Sequence, residues 1–379
     1  MSMFKAPKKT MISALMGLTF AGIAGQANAE LVEAPFVGSH DVQAYITAGN
    51  GDNSMTQDEA LAGRRDANTP DSRFTGVVSI RPVINGQGFI CTGTVISPRH
   101  ILTAAHCVDE NDQGQAMDLT NPDNDLLVVF NNDGDYSEIT GAKDVVIHED
   151  YNGFNVCPDG TTGCVNDDIA IIELTRAIPD GVEIYDLYEP QVWDTNNLAN
   201  FGIGGNGDQF HMVGYGTRGD GYSGYYSSPR YNEKLTGGNI VDFIGFDDEG
   251  VDGPEVWYAD FDGTRTENGV SEDHDTLCNF YGVCSDWLAE DVETNIGGGD
   301  SGGPSFIYDA VNDKYLLAAT NTFGIGTSSI ARGAFGDLMG GILLNPYHQW
   351  IATQIPAPAT LALFGLALGG LATRRKKAK

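Results

Sequence analysis

The 379-residue chain is long enough for two average domains, or for one large all-β domain with flanking segments. It carries 21 Lys and Arg against 52 Asp and Glu. The imbalance sits in residues 61–353, net −33, while residues 1–29 and 354–379 have basic residues and no acids. A body that acidic repels polyphosphate, which argues against DNA or RNA as a partner. With 41% hydrophobic and 19% charged residues it should fold rather than stay disordered.

At the start of the chain, Lys5, Lys8 and Lys9 precede an apolar stretch from Met11 to Gly25 and then Ala27-Asn28-Ala29. A basic region, an apolar region and a small-residue cleavage site in that order predict a signal peptide over 1–29 and a mature start near Glu30. Residues 30–60 are acidic, polar and weakly periodic, as suits a pro-segment or linker. From Phe74 short β-branched runs follow one another: Val77–Ile80, Phe89-Ile90, Thr94–Ile96, Leu126–Phe130, Val145–Ile147, Ile169–Leu174, His211–Gly214, Tyr315–Ala319 and Gly341–Leu344. Runs of this kind between Gly, Pro and Asn predict an all-β sandwich or barrels over 61–353, and 49 Gly and 15 Tyr agree. One helix is predicted near Pro346–Gln354, where Tyr347, Trp350 and Ile351 share a face.

Six cysteines in an exported chain read as disulfides. Cys157 and Cys164 are sequence neighbours, as are Cys278 and Cys284, which leaves Cys91 with Cys107. No pair has the spacing of a zinc or redox motif.

Three short strings carry chemistry. In Leu102-Thr103-Ala104-Ala105-His106-Cys107 a histidine stands among small residues. In Asn166-Asp167-Asp168-Ile169-Ala170-Ile171-Ile172 an acid heads an apolar strand, where burial obliges it to find a partner. In Gly299-Asp300-Ser301-Gly302-Gly303-Pro304 a serine is flanked by glycines that let the backbone turn tightly and approach a carbonyl. With Gly214-Tyr215-Gly216, and in the order His, Asp, Ser, these strings resemble the trypsin-like serine proteases of the chymotrypsin fold.

The resemblance implies two antiparallel six-stranded β-barrels with a short C-terminal helix. It implies that His106, Asp168 and Ser301 form a catalytic triad, with Asp167 as rival for the acid, and that the N–H groups of Gly299 and Ser301 form an oxyanion hole. Asn295, six residues before the serine, would lie at the base of the substrate pocket; being neutral, it removes the main reason for strict Arg or Lys selectivity, unless Asp337 supplies a carboxylate. Leu61-Ala62-Gly63-Arg64 partly matches the family's mature start, so a freed amino group at Leu61 would pair with Asp300; Phe36-Val37-Gly38-Ser39 is a rival start. No cofactor is required. The acidic loops Asp109–Asp125, Asn131–Asp135 and Asp247–Asp262 lack a calcium-loop spelling, so a solvated face is the default and structural calcium the minority reading.

Beyond residue 353 comes Pro356-Ala357-Pro358, an apolar run to Thr373, and Arg374-Arg375-Lys376-Lys377. As a helix the run spans only about 22 Å, short of a hydrocarbon core of roughly 30 Å. It resembles the PEP-CTERM sorting tail of Gram-negative bacteria, with Pro-Ala-Pro for Pro-Glu-Pro. The expectation is therefore an exported serine endopeptidase of the cell envelope or exterior. Its partners would be protein or peptide substrates and the export and sorting machinery, with membrane contact only through residues 354–379. The alternatives are a catalytically inactive protease-shaped binding module and an envelope-anchored surface protein.

Overall fold

The structure, a computed structural model, describes residues 45–154, 165–189, 209–246, 254–282, 284, 287–327 and 331–355. The expected signal peptide, the Cys157–Cys164 bridge and the sorting tail lie outside them.

Alternation along the strands builds the first half. On β8 (Ala170–Leu174), Ala170, Ile172 and Leu174 enter one core, whereas Ile171 and the preceding Ile169 enter another. Each such fully buried aliphatic chain contributes about 1.5–3 kcal/mol. β8 pairs with β5 (His100–Thr103) and β7 (Glu138–Ile147), β5 with β4 (Cys91–Ser97), and β4 with β2 (Val77–Ile84). β6 (Asp125–Phe130) joins β7 to β2, closing a six-stranded antiparallel barrel, and β3 (Gln87–Gly88) extends β2 as a short hairpin. Val78, Ile80, Val95, Ile101, Val128, Phe130 and Ile172 fill its interior.

The second half departs from the expected second six-stranded barrel. One four-stranded sheet runs β12 (Leu235–Ile240), β9 (Gln209–Gly214), β17 (Pro304–Asp309) and β18 (Lys314–Thr320). The other runs β13 (Phe243–Phe246), β14 (Pro254–Asp260), β20 (Leu338–Ile342) and β19 (Phe323–Ile325). Phe210, Met212, Trp257, Ile307 and Met339 pack between them. The chain turns from one sheet to the other at 241–242 and at 321–322. There Asp242 N–H donates to the Tyr258 carbonyl and Thr322 N–H to Gly340, so corners stand where a closing ladder would be. Among the described residues the only strand-like link between the sheets is the Ala319–Leu343 bridge. β15 (Gly263–Glu267) and β16 (Val270–His274) form a separate hairpin.

Part of the expected pro-segment is built into this half. β1 (Tyr45–Ala48) lies parallel to β10 (Thr217–Asp220), which pairs with β11 (Gly224–Ser227). A helix not expected from the sequence, α1 (Gln57–Ala62), follows. Thr56 accepts from the Glu59 N–H and the Glu59 carboxylate accepts from the Thr56 N–H, a reciprocal cap. The C-terminal helix α2 (His348–Gln354) buries Trp350 and Ile351 as the i, i+3, i+4 spacing predicts.

Candidate active site

His106 sits in a single 3₁₀ turn, Ala105–Cys107, directly after β5. The Cys91–Cys107 disulfide ties that turn to β4, and both cysteines are spent in the bond. Asp168, fully buried, grips the histidine twice: Oδ2 accepts from ring Nδ1–H at 2.7 Å and Oδ1 from the backbone N–H at 2.8 Å. That double contact fixes the ring and its tautomer, leaving Nε2 as the basic nitrogen. Nε2 is buried and has no hydrogen-bond partner, so no bond to the Ser301 hydroxyl is formed. Such contacts are often long before substrate binds. An edge-on contact with Phe154, 4.9 Å between ring centres, covers the imidazole.

The rival acid is engaged elsewhere. Asp167, at φ +54°, accepts from Tyr347 OH at 3.0 Å and lies 3.1 Å from His148 Nδ1, while its N–H donates to Glu255. Burial pulls the His148 pKa down, but Asp167 with Glu149 and Asp150 outweighs it, for a net rise.

Glycines make the serine segment possible. Gly299 (φ +106°) and Gly302 (φ +77°) hold left-handed conformations. A Cβ on Gly302 would fall 2.1 Å from Thr103 Oγ1 and 2.5 Å from the Ala104 nitrogen, which puts the serine turn hard against the residues before His106. The Ser301 carbonyl takes the Thr92 N–H at 2.9 Å and lies 3.7 Å from Cys107 Sγ. The N–H groups of Asp300, Gly302 and Gly303 are bonded within the chain, to Gly297, Asn321 and Asp300. Those of Gly299 and Ser301 donate to nothing among the described residues.

Asp300 runs inward. Its oxygens accept from Gly216 N–H at 2.8 Å and Gly297 N–H at 3.1 Å. Burial lifts its pKa to about 7, against the pull of those two donors. Gly214 must be glycine, since a Cβ there would sit 1.9 Å from Asp300 Oδ1. The structure does not bring Leu61 to Asp300. Leu61 is held inside α1, packed on Leu235 and Tyr226, because the capped helix and that burial fix it there. The chain segment beside this loop is β1: Thr47 N–H donates to the Asn295 carbonyl, and the Asn295 N–H donates back to Thr47 Oγ1.

Asn295 is fully buried, and neither its amide nitrogen nor its amide oxygen has a partner. Asp337 is buried, and its two oxygens accept from the N–H groups of Thr327 and Gly333. Cys278 and Cys284 are joined, as their spacing suggests. Two supports carried no sequence signal. Thr92 Oγ1 donates to the Gly299 carbonyl and accepts from the Tyr215 N–H, joining the serine turn to the Gly-Tyr-Gly segment. Asn321 takes the Gly302 N–H through its carbonyl and the Ser305 hydroxyl through its side chain.

Two stretches of the chain match known protein families. The trypsin family profile matches residues 61–217, a stretch with His106, Asp168 and Gly214-Tyr215-Gly216 that stops before Ser301. The Bombus ignitus protein "Venom serine protease Bi-VSP" is 32% identical over 110 residues, 29% of this chain and 26% of the relative. The Polistes dominula "Venom serine protease" is 29% identical over 126 residues, 32% of this chain and 39% of the relative. The chain thus spans well under half the length of either. The PEP-CTERM protein-sorting motif matches residues 354–376. The chain is therefore trypsin-like over residues 61–217 and bears a PEP-CTERM protein-sorting motif at 354–376.

Proposed function

We propose that this chain is an exported serine endopeptidase. Ser301 Oγ attacks the peptide carbonyl as His106 Nε2 takes its proton. The histidine then returns that proton to the leaving amine, and water releases the acyl group from Ser301 by the same cycle. Asp168 holds the ring and stabilises the imidazolium. The idle N–H groups of Gly299 and Ser301 receive the oxyanion, each contributing about 2.7–4 kcal/mol in the transition state. The observation that carries this reading is the double grip of Asp168 on His106, which leaves one buried imidazole nitrogen unspent beside the serine turn. On the same reading the two four-stranded sheets take the place of the family's second barrel.

The neutral, unpartnered Asn295 amide supports a pocket for neutral side chains. The sorting motif supports export and retention at a Gram-negative envelope. Among the described residues no helix is long and apolar enough to cross a membrane. For activation, register favours β1 over Leu61: Tyr45 is level with Thr217, the neighbour of Gly216, whose N–H holds Asp300. An amino group freed at Tyr45 or Ile46 would lie about one strand spacing, ~4.8 Å, from that segment.

Labelling of the purified protein with a fluorophosphonate tests the reading. Stoichiometric labelling lost in Ser301→Ala is expected. A chain cleaved before β1 that folds yet stays unlabelled would favour the inactive binding module, for which the missing Ser301–His106 hydrogen bond is the one supporting observation.

A further inference from the structure

Far along the sequence from the serine turn, carboxylates converge in the second half. Asp260 ends β14, Asp262 follows two residues later, and Asp275 comes directly after β16. One carboxylate oxygen from each lies within 4.8 Å of the others. Phe261, between the first two, packs on Phe335 with ring centres 4.7 Å apart, so the extended chain turns both acids to the opposite side. Asp260 is 0% and Asp262 5% exposed, and each keeps an Oδ1 that accepts no hydrogen bond. Glu293 is also fully buried with an orphaned Oε1, and among the described residues no ion pair reaches Asp260, Asp262 or Glu293. The nearby Arg64 does not neutralise them through hydrogen bonds. Its guanidinium is bonded to the carbonyls of Glu290, Val292 and Glu293.

Leaving one buried carboxylate oxygen unbonded costs several kcal/mol, and a cluster of them repels itself as well. A cation removes both penalties. We infer that Asp260, Asp262 and Asp275 form a structural calcium site, with Glu293 beside it. The donors are all carboxylate oxygens, the hard ligands that calcium takes six to eight at a time in irregular geometry. Zinc favours nitrogen and sulfur, and magnesium demands a near-ideal octahedron.

The location gives the ion a purpose. Asp260 Oδ2 accepts from the Leu277 N–H at 2.9 Å, and Asp275 Oδ1 from the Cys278 N–H at 2.8 Å. Calcium would therefore fasten the β15–β16 hairpin and the Cys278–Cys284 loop to β14. Glu293 heads Thr294-Asn295, the segment that leads to the serine turn, so the ion would also brace the floor of the proposed pocket.

The test is a calcium titration of the full chain carrying Ser301→Ala, which prevents self-digestion, read by thermal melting and by terbium luminescence sensitised through the tryptophans; Trp257 lies three residues before Asp260. Calcium at about a hundred times its dissociation constant should raise Tm by roughly 5 °C over chelator. Magnesium at the same concentration should do less. The rise and the terbium signal should vanish in Asp262→Asn and in the less buried Asp275→Asn, and persist in Asp133→Asn, which alters an exposed acidic loop of the first half. If Asp262→Asn does not fold, Asp275→Asn decides. No calcium response in the parent chain, or an undiminished response in Asp275→Asn, overturns the site. The readout does not pass through catalysis, so it stands or falls apart from the protease reading.

Discussion

Around the closed barrel the buried carboxylates have donors. Asp168 is gripped by His106, and Asp109 accepts from the N–H groups of Asn111, Gly114 and Gln115. In the second half Asp260, Asp262 and Glu293 each retain a bare buried oxygen, and Asp300 has two N–H partners but no cation among the described residues. The first half settles its charges internally. The second is built to receive positive charge from outside its own side chains: an amino terminus at Asp300 and calcium at Asp262, on the readings proposed above. A protein arranged this way keeps its base and acid permanently positioned and makes the serine turn and pocket conditional.

The largest expected effect falls on the settled half. Asp168→Asn should lower kcat about 10⁴-fold by presenting the wrong tautomer of His106, with the fold retained. Turnover on a peptide substrate, with circular dichroism as the control for folding, checks it. A rate within tenfold of the parent would remove Asp168 from the mechanism.

Asp300 sharpens the contrast through pH. Its folded pKa, about 7, lies above the unfolded 3.8, so between those values the folded state holds the proton more firmly. Stability from this group is therefore present below about pH 4 and lost as pH rises to about 7, by at most about 4 kcal/mol. Urea unfolding of the unprocessed chain at pH 4.5, 6 and 8 should show that decline, and Asp300→Asn should flatten it. An amino group delivered to Asp300 would reverse the logic by holding the carboxylate charged, so the processed form should lack the decline. Equal slopes in parent and Asp300→Asn would mean that Asp300 does not titrate in this window.

The two disulfides among the described residues compare the halves directly. Cys91–Cys107 closes the longer loop, with sequence separation 16, and Cys278–Cys284 the shorter, with separation 6. Chain entropy gives about 3 kcal/mol for the first and about 2 kcal/mol for the second. Paired Cys→Ala variants should lose stability in that order at saturating calcium. With chelator the second pair should matter more, because the bridge and the proposed ion then no longer share the work of holding the same loop. Denaturant midpoints with and without calcium measure both.

What the sequence disclosed follows from how local each feature is. The strings around His106, Asp168 and Ser301 were legible because each is continuous and their order is informative. The barrel strands were legible because one face meets each core, so side chains alternate. β12, Leu-Thr-Gly-Gly-Asn-Ile, was hidden because its glycines have no side chain to alternate. A Cβ on Gly237 would lie 2.6 Å from the Thr294 side chain, so packing requires the blank that defeats the pattern. β20 ends at Ile342 rather than reaching Leu344: the Leu343 N–H still bonds Glu255 of β14 in register, but the Leu344 N–H crosses to Ala318 of the other sheet. The acidic cluster was illegible for a different reason: residues 260, 262 and 275 form no string, and only folding makes them neighbours. The Thr56…Glu59 spacing spells a helix cap just before Leu61, so in the uncleaved chain Leu61 is held inside α1, while the trypsin family match itself begins at residue 61.

That cap supplies the smallest prediction, and it bears on whether residues 45–62 belong to the folded second half or to a dispensable leader. Thr56 takes the Glu59 N–H, and the Glu59 carboxylate takes both the Thr56 N–H at 2.9 Å and its hydroxyl at 2.7 Å. The helix so capped is six residues long, too short to persist alone, and it survives by burying Ala60 and Leu61. Just after it, Arg64 reaches the carbonyls of Glu290, Val292 and Glu293, beside the segment that leads to Asn295. Loosening the cap should therefore be felt in global unfolding rather than as local fraying. Thr56→Ala should cost about 1 kcal/mol, and Thr56→Ser, which keeps the hydroxyl, much less. Truncation before Leu61 should cost far more, since it strips β1 from β10 and removes the Thr47 bonds to Asn295. If a chain beginning at Leu61 unfolds at the same urea midpoint as one beginning at Tyr45, the first 60 residues are a leader after all. The proposed activation start would then move back to Leu61.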